Sequence, residues 1–311
     1  MEILKYNNNI TVSICLITYN QENIISEVLD YILKQKTNFK YELVIGEDCS
    51  QDATRDICKE YKKSFPDTIQ LLLNEQNMGL IDNFCSTVSH CSGKYIAICA
   101  GDDFWIDPLK LQKQVDFLEN NPEYSMCSCE AYYTSVKFKN NFRAFLGILY
   151  NNLMIDGLLS FFQLLTEFFI DRDSFWKKRR RHPSLKRPET GTLESVLRDL
   201  SQSRYYPASA NIFKREVMEQ IPREAFDYRP EHIITILWAA LNGKLKLLKD
   251  VMVTKNASAT SVTITKSIQK KYKPIDNTEN YIKLLETAIR QQFDKKKKKI
   301  IEDKIKNLKN S

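Results

Sequence analysis

Asp102 and Asp103 stand side by side in the stretch CAGDDFW, residues 99–105. Adjacent carboxylates repel, and left unpaired each raises the pKa of the other. A hard divalent cation, Mg2+ or Mn2+, takes oxygen ligands and turns that repulsion into a site. Carboxylates reach a diphosphate only through such a cation. The pair therefore reads as a metal–diphosphate site with Asp102 and Asp103 as ligands. A plain turn, with Asp103 capping the segment that holds Pro108, is the structural alternative.

The elements that must position this pair come next. TVSICLI, YELVIG, TIQLLL and KYIAIC are short apolar runs, which suit strands buried on both faces. Between them Ile24, Val28 and Ile32, then Ile57 and Tyr61, then Ile81, Phe84 and Val88 recur at helical spacing, and Leu111, Val115 and Leu118 follow the fourth strand. Strand and helix alternate from Thr11 to Ser125, which predicts a mostly parallel, doubly wound α/β sheet. Ligands of such sheets bind beyond the carboxyl ends of the strands. Polar clusters sit at all four of those ends: Thr18, Tyr19 and Asn20; Glu47, Asp48, Ser50 and Asp52; Asn74, Asn77, Gly79 and then Asn83; Gly101, Asp102 and Asp103. Each alone could be a helix cap. Together they outline one rim, on which Glu47 or Asp48 can accept hydrogen bonds from a base or a ribose.

Composition narrows the alternatives. The 311 residues are 43% hydrophobic and 27% charged, a globular balance, with a net charge of +7. Two basic runs, Lys177–Arg181 and Lys295–Lys299, suit anionic partners or simply a solvated face. No RNA-binding signature accompanies them, so nucleic acid is not expected as a partner. Neither G-x-G-x-x-G nor a P-loop follows the first strand. A nucleotidyltransferase would want a basic, glycine-rich loop there, and Ile17–Asn23 has neither glycine nor cation. Eight cysteines lie without metal-ligand spacing, and Cys127 and Cys129 form only an isolated C-x-C. Reduced thiols and a cytoplasmic setting are the expectation. MEILKYNNNI lacks an apolar signal segment, which argues against export.

SICLITYNQE, VIGEDCSQDAT, NEQNMGLIDNF and GKYIAICAGDDFWIDPLKLQKQVDFLENNPEYSMC resemble the nucleotide-binding half of a bacterial family 2 glycosyltransferase of GT-A fold over about residues 11–128. YYPASANIFKREVMEQIP and AALNGKLKLLKDVMV resemble the acceptor half, residues 189–262. The resemblance implies inverting transfer of a sugar from a nucleotide-diphosphate donor, UDP-linked by family preference, to a saccharide or lipid-linked saccharide acceptor. It implies that Thr18, Tyr19, Asn20 and Asp48 face the nucleoside and that Asp102 holds the metal with Asp103 in support of the metal or the ribose; the rim itself adds Glu47, Asn77 and Asn83 as expected nucleotide-sugar-binding residues. Bacterial surface polysaccharide synthesis is the implied pathway.

The chain departs from that pattern twice. Ala100 stands where relatives place the first acid of D-x-D, so metal binding rests on Asp102 and Asp103. Relatives also carry Glu-Asp, or Gly-Asp-Trp, about eleven residues before the GK matched by Gly243 and Lys244; here RPEHII puts Glu231 beside His232. Glu231 is the closer chemical substitute and is named first; His232 has the more suitable intrinsic pKa, ~6.5. Either can act as general base, or both merely begin a helix whose buried face is Ile233, Ile236, Leu237 and Ala240. These departures keep open a non-catalytic nucleotide-sugar-binding protein of the same fold.

Two stretches lie outside the resemblance. Residues 136–188 combine an apolar helix, Leu158–Ile170, with Trp176 and the basic run 177–181. They suit either a helix lying on an anionic membrane surface or one packed on the domain or a dimer partner. Residues 263–311 form a Lys-rich helical extension in which Ile282, Leu285, Ile289 and Phe293 make one stripe. That stripe can dock on the domain, pair with another chain or support surface binding. The expected organisation is thus a GT-A-like domain over 1–262, carrying the insertion, followed by the extension.

Overall fold

The computed structural model describes residues 7–134, 189–201, 206–228, 230–256, 278–292 and 294–310. The helix expected at 158–170 and the basic run 177–181 lie outside the described residues. The first half alternates as its pattern requires: β1 (Val12–Thr18), α1 (Ile25–Leu33), β2 (Tyr41–Glu47), α2 (Thr54–Ser64), β3 (Ile69–Leu73), α3 (Leu80–Ser89), β4 (Tyr95–Ala100), β5 (Asp103–Trp105), α4 (Lys110–Asn120) and β6 (Tyr124–Thr134). The second half contributes β7 (Thr190–Gly191), α5 (Leu193–Ser201), a 3-10 turn at Ala208–Ala210, β8 (Ile212–Lys214), α6 (Arg215–Glu219), α7 (Glu231–Asn242), β9 (Lys244–Asn256), α8 (Thr278–Gln291) and α9 (Lys295–Lys309).

One sheet takes all nine strands of the described residues, in the order β3-β2-β1-β4-β8-β6-β9-β5, with β7 on β9. β1, β2, β3 and β4 pair in parallel. The short β8 then enters antiparallel between β4 and β6, and β6 returns to parallel pairing with β9. Consecutive strand residues face opposite sides. Ile14, Leu16, Ile45, Ala97 and Cys99 meet α1, α2 and α4 through Val28, Ile32, Cys58, Leu111 and Leu118. Cys15, Val44, Ile96 and Ile98 meet the other helices through Phe84, Val88, Leu197, Leu237 and Leu284.

Helix α7 is more deeply embedded than its sequence face suggests. Besides Ile233, Ile236, Leu237 and Ala240, its residues Ile234, Thr235, Trp238, Ala239 and Leu241 are buried. The reason is that α5 and α6 flank it against β6 and β9, while Leu284, Leu285, Ala288, Ile301 and Ile305 of α8 and α9 join the same core. Trp238 Nε1 donates to Gln220 O at 3.1 Å, and Tyr281 Oη donates to Leu197 O at 3.2 Å. The extension therefore docks on its own domain. Its lysine run has a structural job as well: Lys297 Nζ donates to Leu241 O at 2.6 Å, placing a cation at the negative carboxyl end of α7. Asp294 caps the start of α9 by accepting from the amides of Lys296 and Lys297.

A buried polar chain binds the two halves. Lys110 has no exposure; its Nζ donates to Gln114 Oε1 at 2.8 Å and lies 4.1 Å from the Trp105 ring centroid. Burial pushes this ammonium below its usual range. Gln114 Nε2 in turn donates to the carbonyls of Cys127, 3.0 Å, and Ala210, 2.8 Å. Gln114→Leu strips a buried ammonium and two buried carbonyls of their shared partner. We expect it to lower stability by about 3 kcal/mol or more, at about 1–3 kcal/mol for each of the three buried groups left unsatisfied; denaturant unfolding measures this.

Candidate functional site

The rim is built first from backbone turns that carboxylates hold in place. After β1, Asn20 adopts φ +51, a left-handed conformation that asparagine tolerates. Its amide donates to Ser50 Oγ at 3.0 Å and its side chain accepts from Gln51 N at 2.8 Å. Asp52 accepts from Glu22 N and Thr54 N, and Glu22 accepts from Ala53 N. Burial pushes the Asp52 carboxyl up, but these amide and hydroxyl donors outweigh it and hold it below its usual range. The loops after β1 and β2 are thus zipped together.

Asp48 organises the loop after β3. Its Oδ1 accepts from Met78 N at 2.8 Å and Asn74 Nδ2 at 2.9 Å, and its Oδ2 from Gly79 N at 2.9 Å. Asn77 Nδ2 donates to the Asp48 carbonyl at 3.2 Å. Asn83 is 3% exposed; its Nδ2 donates to Gly46 O and its Oδ1 accepts from Asn74 Nδ2. Glu47 has no exposure; it accepts from Ser50 N at 2.7 Å and pairs with Arg55. Of the residues expected on the donor rim, Glu47, Asp48, Asn77 and Asn83 are therefore engaged by one another, by neighbouring side chains and by backbone. Thr18 is buried against Gln21, whose Oε1 it reaches at 2.6 Å, whereas Tyr19 is 42% exposed and projects an aromatic ring at the end of β1.

The aspartate pair splits. Asp102 is half-buried in the turn between β4 and β5. That turn lies against the β1 loop so closely that a Cβ on Gly101 would collide with Gln21 Oε1 and come within 2.9 Å of Thr18 Oγ1. Asp103, the first residue of β5, has no exposure. Its Oδ2 accepts from Ser209 Oγ at 2.6 Å and lies 3.6 Å from Lys255 Nζ. Neither partner was marked by sequence reasoning. Ser209 stands in the quoted YYPASANIF block, whose short polar residues were its only signal, and nothing in its surroundings singles out Lys255. Ser209 also accepts from Ala100 N at 3.0 Å through Oγ, and its carbonyl accepts from Trp105 Nε1 at 2.9 Å. Among the described residues no group of three or more His, Cys, Asp or Glu side chains is placed to hold a metal ion.

Glu231 and His232 open α7. His232 Nδ1 lies 3.5 Å from Glu231 Oε1, with side-chain exposures of 23% for the histidine and 12% for the glutamate. Glu231 Oε2 is sealed from solvent and has no hydrogen-bond partner among the described residues. Burial pushes the Glu231 carboxyl up, but the hydrogen bond and charge of His232, its own backbone and the charge of Lys255 outweigh it and hold the carboxyl below its usual range. The glutamate is thus a buried anion and the histidine its more exposed neighbour. Lys255, which lies 3.6 Å from Asp103, is the smallest of those influences. The thiols play no such part: all eight cysteines are free, and burial pushes Cys58 up to about 12 and Cys85 up to about 11.

Known proteins share parts of this chain. Uncharacterized protein Rv1520 of Mycobacterium tuberculosis is 44% identical over 115 residues, which cover 37% of this chain and 33% of that protein. The UDP-Glc:alpha-D-GlcNAc-diphosphoundecaprenol beta-1,3-glucosyltransferase WfgD of Escherichia coli is 36% identical over 110 residues, 35% of this chain and 42% of its own length. The chain thus spans well under half the length of these curated relatives. Among solved structures, S. aureus TarS 1-349 in complex with UDP-GlcNAc covers 97% of this chain and 72% of that one, with a TM-score of 0.61 at 15% identity. That likeness establishes the GT-A-type fold. The family model for glycosyl transferase family 2 matches residues 13–186. This is more than half of the sequence, and the chain belongs to glycosyl transferase family 2.

Proposed function

We propose that this chain transfers a sugar, with inversion, from a nucleotide-diphosphate donor to an acceptor hydroxyl. The observation that supports the proposal is the half-buried Asp102 in the turn between β4 and β5, a turn fixed through Ser209, with the Glu231–His232 pair, 3.5 Å apart, at the start of α7 read as the base. In this reading the exposed Tyr19 ring stacks on the base, and the loop held by Asp48 and Asn77 receives the ribose. A UDP-sugar is the favoured donor; it suits the family and matches the donor in the name of WfgD. A saccharide or lipid-linked saccharide is the acceptor, and peripheral contact with an anionic membrane at the cytoplasmic face suits the latter.

Asp102 suits a divalent ion shared with substrate rather than one caged by protein. The half-buried Asp102 offers one carboxylate, and Mg2+ or Mn2+ commonly takes one or two carboxylates with substrate phosphates and water completing its shell. When bound, such an ion offsets negative charge on the departing nucleoside diphosphate. The protein's own residues do the remaining work. The imidazole of His232, more exposed than Glu231, takes the proton from the acceptor hydroxyl as that oxygen attacks the anomeric carbon opposite the leaving group. The Glu231 carboxylate 3.5 Å behind Nδ1 orients the ring and stabilises the imidazolium as it forms. This assigns the base to His232 and the supporting charge to Glu231.

Asp102→Asn is expected to abolish Mn2+-dependent binding of UDP and UDP-sugars, followed by calorimetry. Undiminished binding would remove Asp102 from the donor site. His232→Ala is expected to leave donor binding within about twofold and to lower kcat by about 10²–10⁴, the range general-base catalysis supplies. Normal turnover in that variant would overturn the base assignment. Tight nucleotide-sugar binding with no turnover by the native chain, across varied acceptors, would favour a binding protein of the same fold.

A further inference from the structure

Asp103 and Lys255 are directly opposed residues of the antiparallel strands β5 and β9. Lys255 Nζ lies 3.6 Å from Asp103 Oδ2, with no exposure for the aspartate side chain and 20% for the lysine. The same oxygen accepts the 2.6 Å bond from Ser209. A carboxylate withdrawn from water is costly unless a partner charge compensates it, and here the compensating ammonium comes from the neighbouring strand. Lys255 is thus the ammonium that meets Asp103, in a chain whose β4 ends in Ala100, a residue without charge.

We propose that Lys255 is a positioning residue for the donor site: it neutralises Asp103, locks that carboxylate onto Ser209, and leaves Asp102 as the member of the pair that meets the cation and diphosphate. The proposal rests on the nucleotide-sugar reading above and deepens it. Without Lys255, Asp103 becomes a buried anion beside Asp102, and like-charge repulsion displaces the turn that carries both. Asp103 then acts as a structural clamp, and the donor is held through Asp102, its phosphates and the ion. A guanidinium can make the same charge contact across β5 and β9, so Lys255→Arg keeps the arrangement while Lys255→Met does not.

The test is a charge-cancelling cycle of Lys255→Met, Asp103→Asn and the double variant, with Lys255→Arg as the conservative control. Two quantities are read: thermal midpoint without ligand, and UDP affinity in Mn2+ by calorimetry. Lys255→Met is expected to lower the midpoint and weaken UDP at least tenfold. Lys255→Arg stays within about threefold of native. The double variant regains most of both losses, because the amide introduced by Asp103→Asn keeps the Ser209 bond and needs no counter-charge. Native behaviour of Lys255→Met in both readouts overturns the proposal. So does a double variant that regains the midpoint but not the affinity, since the lysine would then touch the ligand itself. If the native protein binds neither UDP nor GDP in Mn2+, the donor reading fails and the donor-site role fails with it. A midpoint cycle that still closes would then show only the Lys255–Asp103 ion pair.

Discussion

A hydroxyl on one half of the chain and a carboxylate on the other meet at 2.6 Å, Ser209 Oγ to Asp103 Oδ2, with both residues at zero exposure. Everything that surrounds the rim is organised about this contact. Ser209 also takes the Ala100 amide on its hydroxyl and the Trp105 indole on its carbonyl, so one residue fixes both ends of the turn that carries Asp102. Trp105 is held by the buried ammonium of Lys110, and Lys110 by Gln114, which returns to the carbonyl next to Ser209. In a low-dielectric interior such a closed chain of satisfied groups is rigid, and any open link is expensive. The more solvent-accessible aspartate of the pair is thereby presented by a scaffold that has little freedom to move.

The sheet makes that contact possible. A purely parallel order would end at β4 and leave Asp102 on an open edge. The insertion of β8, antiparallel to both β4 and β6, carries the 208–210 turn across the end of β4. It also brings β9 alongside β6 and β5, which delivers Lys255 to Asp103. Helix α7, buried along most of its length, then begins with Glu231 and His232. The 208–210 turn and Lys255 thus meet the end of β4 and the start of β5 through a few residues of antiparallel pairing.

Strands β1 to β4, their helices and the rim were legible because each rests on local pattern: an apolar run, a 3.6-residue repeat, a polar strand end. Val28, Ile32, Phe84, Val88, Leu111 and Leu118 are buried as their spacing required. What local pattern cannot supply is the partner of a polar side chain. Glu47, Asp48 and Asn83 are on the rim, yet Arg55, backbone amides and Gly46 engage them; residue type alone does not say whether a carboxylate serves a ligand or a loop. Ser209 and Lys255 are 106 and 152 residues from Asp103 along the chain, and no spacing rule relates them to it. The three-residue β5 is too short to show a period. The C-terminal stripe was equally ambiguous, since amphipathicity announces a buried face without naming what covers it.

The substitution at the start of α7 follows from the same electrostatics. An aspartate base would stand alone as both proton acceptor and anion. With histidine at that position the acceptor is neutral before it takes the proton, and the anion must come from elsewhere to stabilise the imidazolium. Glu231 is adjacent and buried, with Oε1 3.5 Å from His232 Nδ1, so in the proposed mechanism the negative charge that an aspartate would carry is displaced by one residue and kept. In the proposed mechanism the departure from Glu-Asp redistributes the base over two side chains without removing it.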